Sequence, residues 1–166
     1  MRHPIREILV CVALGALPLA PVQALANETM YGSEATDQGP HIVELFLGSA
    51  FADRNGQSEQ ALSVGAQYRF AFNRTVSIGV LAEYAAKSLD TWVVGVPFVF
   101  NLRETGWQLT TMPGLEIENS NEEFLFRTGV GYEIEMQGYS LKPEVNVDWV
   151  DGETAVVAGV SIGFRF

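Results

Sequence analysis

The sequence predicts an all-β fold, an eight-stranded antiparallel up-and-down transmembrane β-barrel. Three observations carry that prediction. Apolar and polar residues alternate at period two through most of the chain, and glycines and charges keep to one phase of the alternation. The third is compositional: a chain of net charge −10 has a positive mean hydropathy of +0.13. With 48% hydrophobic and 18% charged residues among 166, it is no disordered polymer. Ten basic against 20 acidic residues exclude nucleic acid as a partner class. No apolar run reaches the roughly 18–20 residues of a spanning helix, so the hydropathy is spread over strands.

Residues 1–26 read as a secretory signal peptide. Arg2 and Arg6 make a basic start, Ile8 to Ala20 is apolar, and Ala24-Leu25-Ala26 is a small-residue cleavage pattern. Cys11 lies inside the apolar stretch without a small residue before it, so a lipid anchor is not expected. The segment takes two basic residues and one acidic residue with it, which leaves a cysteine-free mature chain of charge −11. Residues 27–40 are polar and aperiodic, a flexible periplasmic leader, and residues 41–166 form the barrel.

Eight segments alternate in turn, at 41–51, 60–72, 75–86, 91–101, 107–118, 123–136, 139–149 and 153–166. In the last, Thr154, Val156, Ala158, Val160, Ile162, Phe164 and Phe166 share one face. Asp151-Gly152 is a two-residue hairpin signal of type I′, setting Trp149 against Thr154 and Asp148 against Ala155. Gln137-Gly138 sets Met136 against Tyr139, and parity around Asn73-Arg74 demands a three-residue loop with Phe72 opposite Val76. All three of these hairpins preserve the two faces, which supports an up-and-down antiparallel meander.

Alternation alone leaves open whether the apolar face points inward or toward lipid. Gly48, Gly65, Gly79, Gly95, Gly114, Gly129, Gly131, Gly159 and Gly163 all fall in the polar phase. Glycine weakens a solvent-facing strand, but it suits a crowded interior. The strand charges obey the same division. Glu44, Glu83, Glu116, Glu133, Glu135, Glu144 and Asp148, with Arg69, Arg127, Lys142 and Arg165, occupy the polar phase, and the apolar phase holds none. A cation on the lipid face would cost about 2–4 kcal/mol at the midplane. Aromatics of the apolar phase gather at strand ends, with Phe70, Phe72, Phe98, Phe100, Trp107, Tyr132, Tyr139, Phe164 and Phe166 at one rim. Phe51, Tyr84, Trp92, Phe124 and Trp149 mark the other, as two interfacial girdles would.

The signal peptide, the eight strands, the short turns and the terminal Val160-Ser161-Ile162-Gly163-Phe164-Arg165-Phe166 resemble the small outer-membrane β-barrels of Gram-negative bacteria. These are the OmpA/OmpX-like and opacity-porin group, and the resemblance spans 41–166. It implies an outer-membrane location with both termini in the periplasm, and contact with membrane lipid and lipopolysaccharide. It also implies that Phe164 and Phe166 serve as the signal read by the β-barrel assembly machinery. The chain departs from better-known members in its short outward loops and in having no peptidoglycan-binding domain after the last strand, which argues against adhesin or cell-wall tethering roles.

Eight strands leave an interior that side chains fill. The β-hairpin register sets Glu133 against Lys142 and Arg127 against Asp148, both pairs pointing inward. The expectation is therefore an interior polar network of Glu44, Arg69, Glu83, Glu116, Arg127, Glu133, Glu135, Lys142, Glu144, Asp148 and Arg165, with a structural or surface-binding role for a monomer. The alternative is a narrow passive channel in which ion pairs exchange partners. A third reading, a lipid-modifying enzyme, needs a nucleophile and a base. The mature chain has one histidine, His41, placed by phase at the membrane rim, so no catalytic residue, metal ligand or cofactor is assigned. Asp53, Glu59, Asp90, Glu118, Glu122, Glu123, Asp151 and Glu153 make an acidic rim at the outer loops, opposed by Arg54 and Lys87. It reads first as a solvated anionic surface, and second as a place where divalent cations bridge to lipopolysaccharide phosphates.

Overall fold

β-Branched and aromatic residues on one face of each strand, with small and polar residues on the other, suit a pleated backbone buried on one side. In the computed structural model, which describes residues 39–54, 57–86, 89–102, 105–119 and 121–166, they build eight strands. These are β1 (His41–Arg54), β2 (Gln57–Ala71), β3 (Val76–Ala85), β4 (Thr91–Gly95 and Phe98–Asn101), β5 (Trp107–Glu118), β6 (Asn121–Tyr132 and Ile134–Glu135), β7 (Ser140–Val150) and β8 (Glu153–Arg165). The expectations for residues 1–38, for Lys87 and for the side chains of Asp53 and Arg54 lie outside the described residues.

Each strand pairs antiparallel with the next, and β8 pairs with β1, so no edge is left. The ladder can be followed from Glu44 through Gln67, Leu81, Gly95, Gly114, Leu125 and Val150 to Glu153. The β8–β1 register, with Ala155 on Ala52, then returns to β1 at residue 54, ten residues beyond the start. A stagger of this kind tilts strands by roughly 35–45°.

The predicted turns form as expected. Val150 pairs with Glu153 through Asp151 (φ 43°) and Gly152 (φ 86°), the two positive values of a type I′ turn. Met136 donates its N–H to the Tyr139 carbonyl at 2.9 Å, and there only Gly138 has positive φ. Phe72 donates to Val76 at 3.0 Å, closing the three-residue loop.

Two strands are interrupted where the sequence suggested none. Pro97, pointing inward from β4, has no N–H for β3, although its carbonyl still accepts from Gly79 at 3.0 Å. In β6 the ladder lapses at Glu133, whose N–H goes instead to the Gly106 carbonyl at 2.7 Å. The residues facing that lapse on β7 include Pro143, which has no N–H to offer. The outward Pro113 of β5 accepts from Val96 at 3.0 Å and can return nothing.

Outward positions are apolar and exposed, including Leu45, Leu47, Val80, Leu109, Val130, Val145, Val160 and Ile162. Among the described side chains, the strand charges of the outward phase come down to Glu122, at the loop end of β6. The aromatic rims are in contact: Trp107 with Tyr132 at one end, Tyr84 with Trp92 and Phe126 with Trp149 at the other.

The interior departs from an all-polar expectation. Toward the loop end, Ala50, Ala52, Ala61, Ala85, Val157 and the loop residue Leu89 form one buried apolar cluster, with Phe46 packed against it. Val93, Met112, Leu125 and Val150 form a second, bordered by Leu81. These residues share the inward phase with the charges, so the interior alternates ionic and apolar patches rather than forming one polar core.

Candidate functional site

The interior charges come from strands that each supply every second residue to the barrel axis. Glu44 of β1 is the hub of one group. Arg69, two strand positions from Glu44's direct partner Gln67, donates Nη2 to Glu44 Oε1 at 2.5 Å and Nε to Oε2 at 3.1 Å. Arg69 also donates Nη1 to Ser77 Oγ at 3.1 Å, and Gln67 donates Nε2 to Glu44 Oε2 at 2.7 Å. Lys142 reaches the same carboxylate from β7 at 3.1 and 3.2 Å and lies 3.4 Å from Glu144. Ser161 of β8 donates to Glu144 at 2.5 Å. The group contains two carboxylates and two cations, so its charge closes internally.

The second group centres on Arg127 of β6. Its Nε and Nη2 bind both oxygens of Asp148, directly opposite on β7, at 2.6 and 2.7 Å. Its Nη1 crosses the interior to Glu83 Oε2 of β3 at 2.5 Å, and Ser63 donates to Glu83 Oε1 at 2.6 Å. Arg69 and Arg127, 1% and 2% exposed, are the largest fully buried side chains. A buried cation without such partners would be strongly destabilising, and the fork geometry of guanidinium meets two carboxylate oxygens at once.

Several expected members take other places. Arg127 and Asp148 pair as the register demands. Lys142 does not bind Glu133; its long stem reaches across to Glu44, where the carboxylate is already aligned by Arg69. Glu133, half-buried, accepts from Gln108 Nε2 at 2.5 Å. Glu116 is buried near the loop end, across from Glu123 on β6. Glu135 and Arg165 keep the inward phase but are exposed at the ends of their strands, so they stand outside the network. The neutral donors Ser63, Gln67, Gln108 and Ser161, and Ser77, which accepts from Arg69, were not among the expected network residues; inward parity beside a charged residue is the signal that marks them.

Between the two groups lies a cavity of about 20 Å³, bordered by Glu44, Glu83, Arg127, Glu144 and Asn146. That is room for about one water. The two apolar clusters fill the interior toward the loop side of this cavity. At the opposite end, His41 donates to or accepts from Tyr68 Oη through Nδ1 at 2.7 Å, and its ring stacks on Phe166. His41 and Phe166 exchange backbone hydrogen bonds at 3.1 and 2.9 Å, and Phe164 pairs with Val43, so the last strand is zipped onto the first to its end. Among the described residues no group of three or more His, Cys, Asp or Glu is placed to hold a metal.

No protein-family model and no curated protein matches the sequence. Solved structures do match the fold. Neisserial surface protein A aligns over 77% of this chain and 98% of its own, with a TM-score of 0.54 and 12% identity. The N-terminal β-barrel domain of Pseudomonas aeruginosa OprF aligns over 78% of this chain and 99% of its own, at 0.53 and 11%. Ail, the attachment invasion locus protein of Yersinia pestis, solved with the heparin analogue sucrose octasulfate, aligns over 78% and 99%, at 0.52 and 15%. The chain has the fold of small eight-stranded outer-membrane barrels.

Proposed function

We propose that this protein is an outer-membrane β-barrel of a Gram-negative bacterium with a structural or surface-binding role, neither a conduit nor an enzyme. The observation that carries the reading is the filled interior. Two ionic groups locked by bidentate contacts and two apolar clusters leave a cavity of about 20 Å³. The outer face, apolar between its rims, and the paired aromatics support the membrane setting. In this reading residues 1–26 are removed on export and both termini lie in the periplasm. The zipped β8 end, with Phe164 and Phe166, is what the assembly machinery engages, and the barrel acts as a monomer against lipid and lipopolysaccharide.

The loop end then faces outward. It exposes Asp90, Glu122, Glu123, Asp151 and Glu153. Ail has been solved with a polyanion; the rim of this chain would repel one. A surface partner here is cationic, or is bridged through divalent cations. Single-channel recording of the refolded protein in planar bilayers tests the filled interior: an absence of conductance steps is expected, and resolved steps would establish the channel instead. Turnover of lipid A or phospholipid that is lost in His41→Ala would establish the enzyme.

A further inference from the structure

Asn101 and Gln108 face each other across β4 and β5, both in the inward phase, near the end of the barrel where β1 begins and β8 ends. Asn101 donates Nδ2 to the Arg74 carbonyl at 3.2 Å, and Gln108 donates Nε2 to Glu133 Oε2 at 2.5 Å. Each bond fixes the orientation of its amide, because turning either over would set its oxygen against another acceptor. The two oxygens so oriented, Asn101 Oδ1 and Gln108 Oε1, are buried and have no hydrogen-bond partner. Gln108 is 2% exposed, so bulk water does not serve its oxygen.

Glu133 adds a carboxylate to this pair. Among the described residues no basic side chain is paired with it, since Lys142, its neighbour by register, is held by Glu44 and Glu144. Covalent geometry keeps Gln108 Oε1 within about 5 Å of the Glu133 oxygen that Nε2 contacts. That is the span of two ligands on one cation, each at about 2.3–2.6 Å. The oxygens are two neutral amides and one anion, with no nitrogen or sulfur among them. Such a set selects a hard cation, and its irregular, partly neutral make-up suits calcium better than the strict octahedron of magnesium.

We propose that Asn101 Oδ1, Gln108 Oε1 and the Glu133 carboxylate form an interior binding site for a calcium ion, with water completing the coordination shell. Half-buried Glu133, followed in the same phase by exposed Glu135, gives the ion its path from the barrel mouth. A single carboxylate places the affinity in the weak range of extracellular modules, about 10⁻⁴–10⁻³ M.

The experiment uses the refolded chain in detergent micelles, stripped with chelator and titrated with calcium chloride or with terbium as a luminescent probe. Trp107 adjoins Gln108, whereas Trp92 and Trp149 stand at the far rim. Calcium is expected to raise the thermal unfolding midpoint, with half-effect in the range above. Tryptophan-sensitised terbium emission should be displaced by calcium and abolished by Trp107→Phe. Gln108→Met and Asn101→Leu should each weaken both responses about ten-fold or more. Heat-modifiable gel mobility verifies that each variant is folded. A midpoint indifferent to calcium would mean that water alone serves the two oxygens, and would overturn the proposal. So would an undiminished response in folded Gln108→Met, or emission that survives Trp107→Phe, a readout that stands even where the other variants fail to fold.

Discussion

Gly48 and Gly159 stand directly opposite each other where β8 closes on β1, and neither has room for a methyl group. A Cβ on Gly159 would lie 2.6 Å from the Gly48 Cα and 2.6 Å from the Phe46 ring; one on Gly48 would lie 2.9 Å from the Gly159 Cα. The inward ring of Phe46 occupies the space the two glycines leave, so the closing seam depends on three residues together. Gly159→Val is therefore expected to prevent barrel closure, seen as loss of heat-modifiable mobility after refolding into detergent. Val160→Ala, one residue away but outward, should fold.

The outer face sets a second expectation. Val160 is 44% exposed and Leu47, its partner on β1, 59%, both near the middle of their strands. Replacing either with lysine should cost about 2–4 kcal/mol in lipid, whereas Val160→Thr should cost far less. Denaturant unfolding in lipid vesicles measures the difference, and equal stability of the lysine and threonine variants would contradict the placement of this face against lipid.

The Arg127 group predicts a strongly non-additive series. Arg127→Met leaves Glu83 and Asp148 buried without their shared cation and should destabilise by about 3–5 kcal/mol. Adding Glu83→Gln and Asp148→Asn removes both stranded charges and should recover most of that loss. Unfolding midpoints of the single and triple variants decide it, and additive losses would show that the group contributes packing rather than charge compensation.

The β7–β8 turn offers a smaller, local effect. Gly152 has φ 86°, and a Cβ placed on it would meet no atom within 4 Å, so backbone conformation alone opposes a side chain there. Gly152→Val should cost about 1–2 kcal/mol, and Asp151→Asn should be neutral, because asparagine also accepts positive φ. Equilibrium unfolding resolves both.

Strand phase, hairpin register and the Arg127–Asp148 pair were all legible in the sequence, because a period of two and a short turn fix which residues face each other across neighbouring strands. Contacts that skip strands were not. Lys142 to Glu44 passes over β8, and Arg127 to Glu83 crosses from β6 to β3; both depend on how far the closed sheet is staggered, which no single hairpin encodes. The same limit hid the apolar patches. Val93, Leu125 and Val150 share the inward phase of their strands, but their meeting with Met112 requires the register of four strands together. The unpartnered oxygens of Asn101 and Gln108 depend on side-chain orientation, which alternation does not specify.

Pro97, Pro113 and Pro143 each withhold a donor from a ladder that the finished barrel otherwise closes on itself. Before closure, every one of these long alternating strands is an open edge, and a chain this apolar would be prone to stack with copies of itself. A proline within each of β4, β5 and β7 makes those strands poorer templates for such stacking. The hydrogen bonds missing from the folded wall are thus the counterpart of a lower tendency of the unfolded strands to pair with one another.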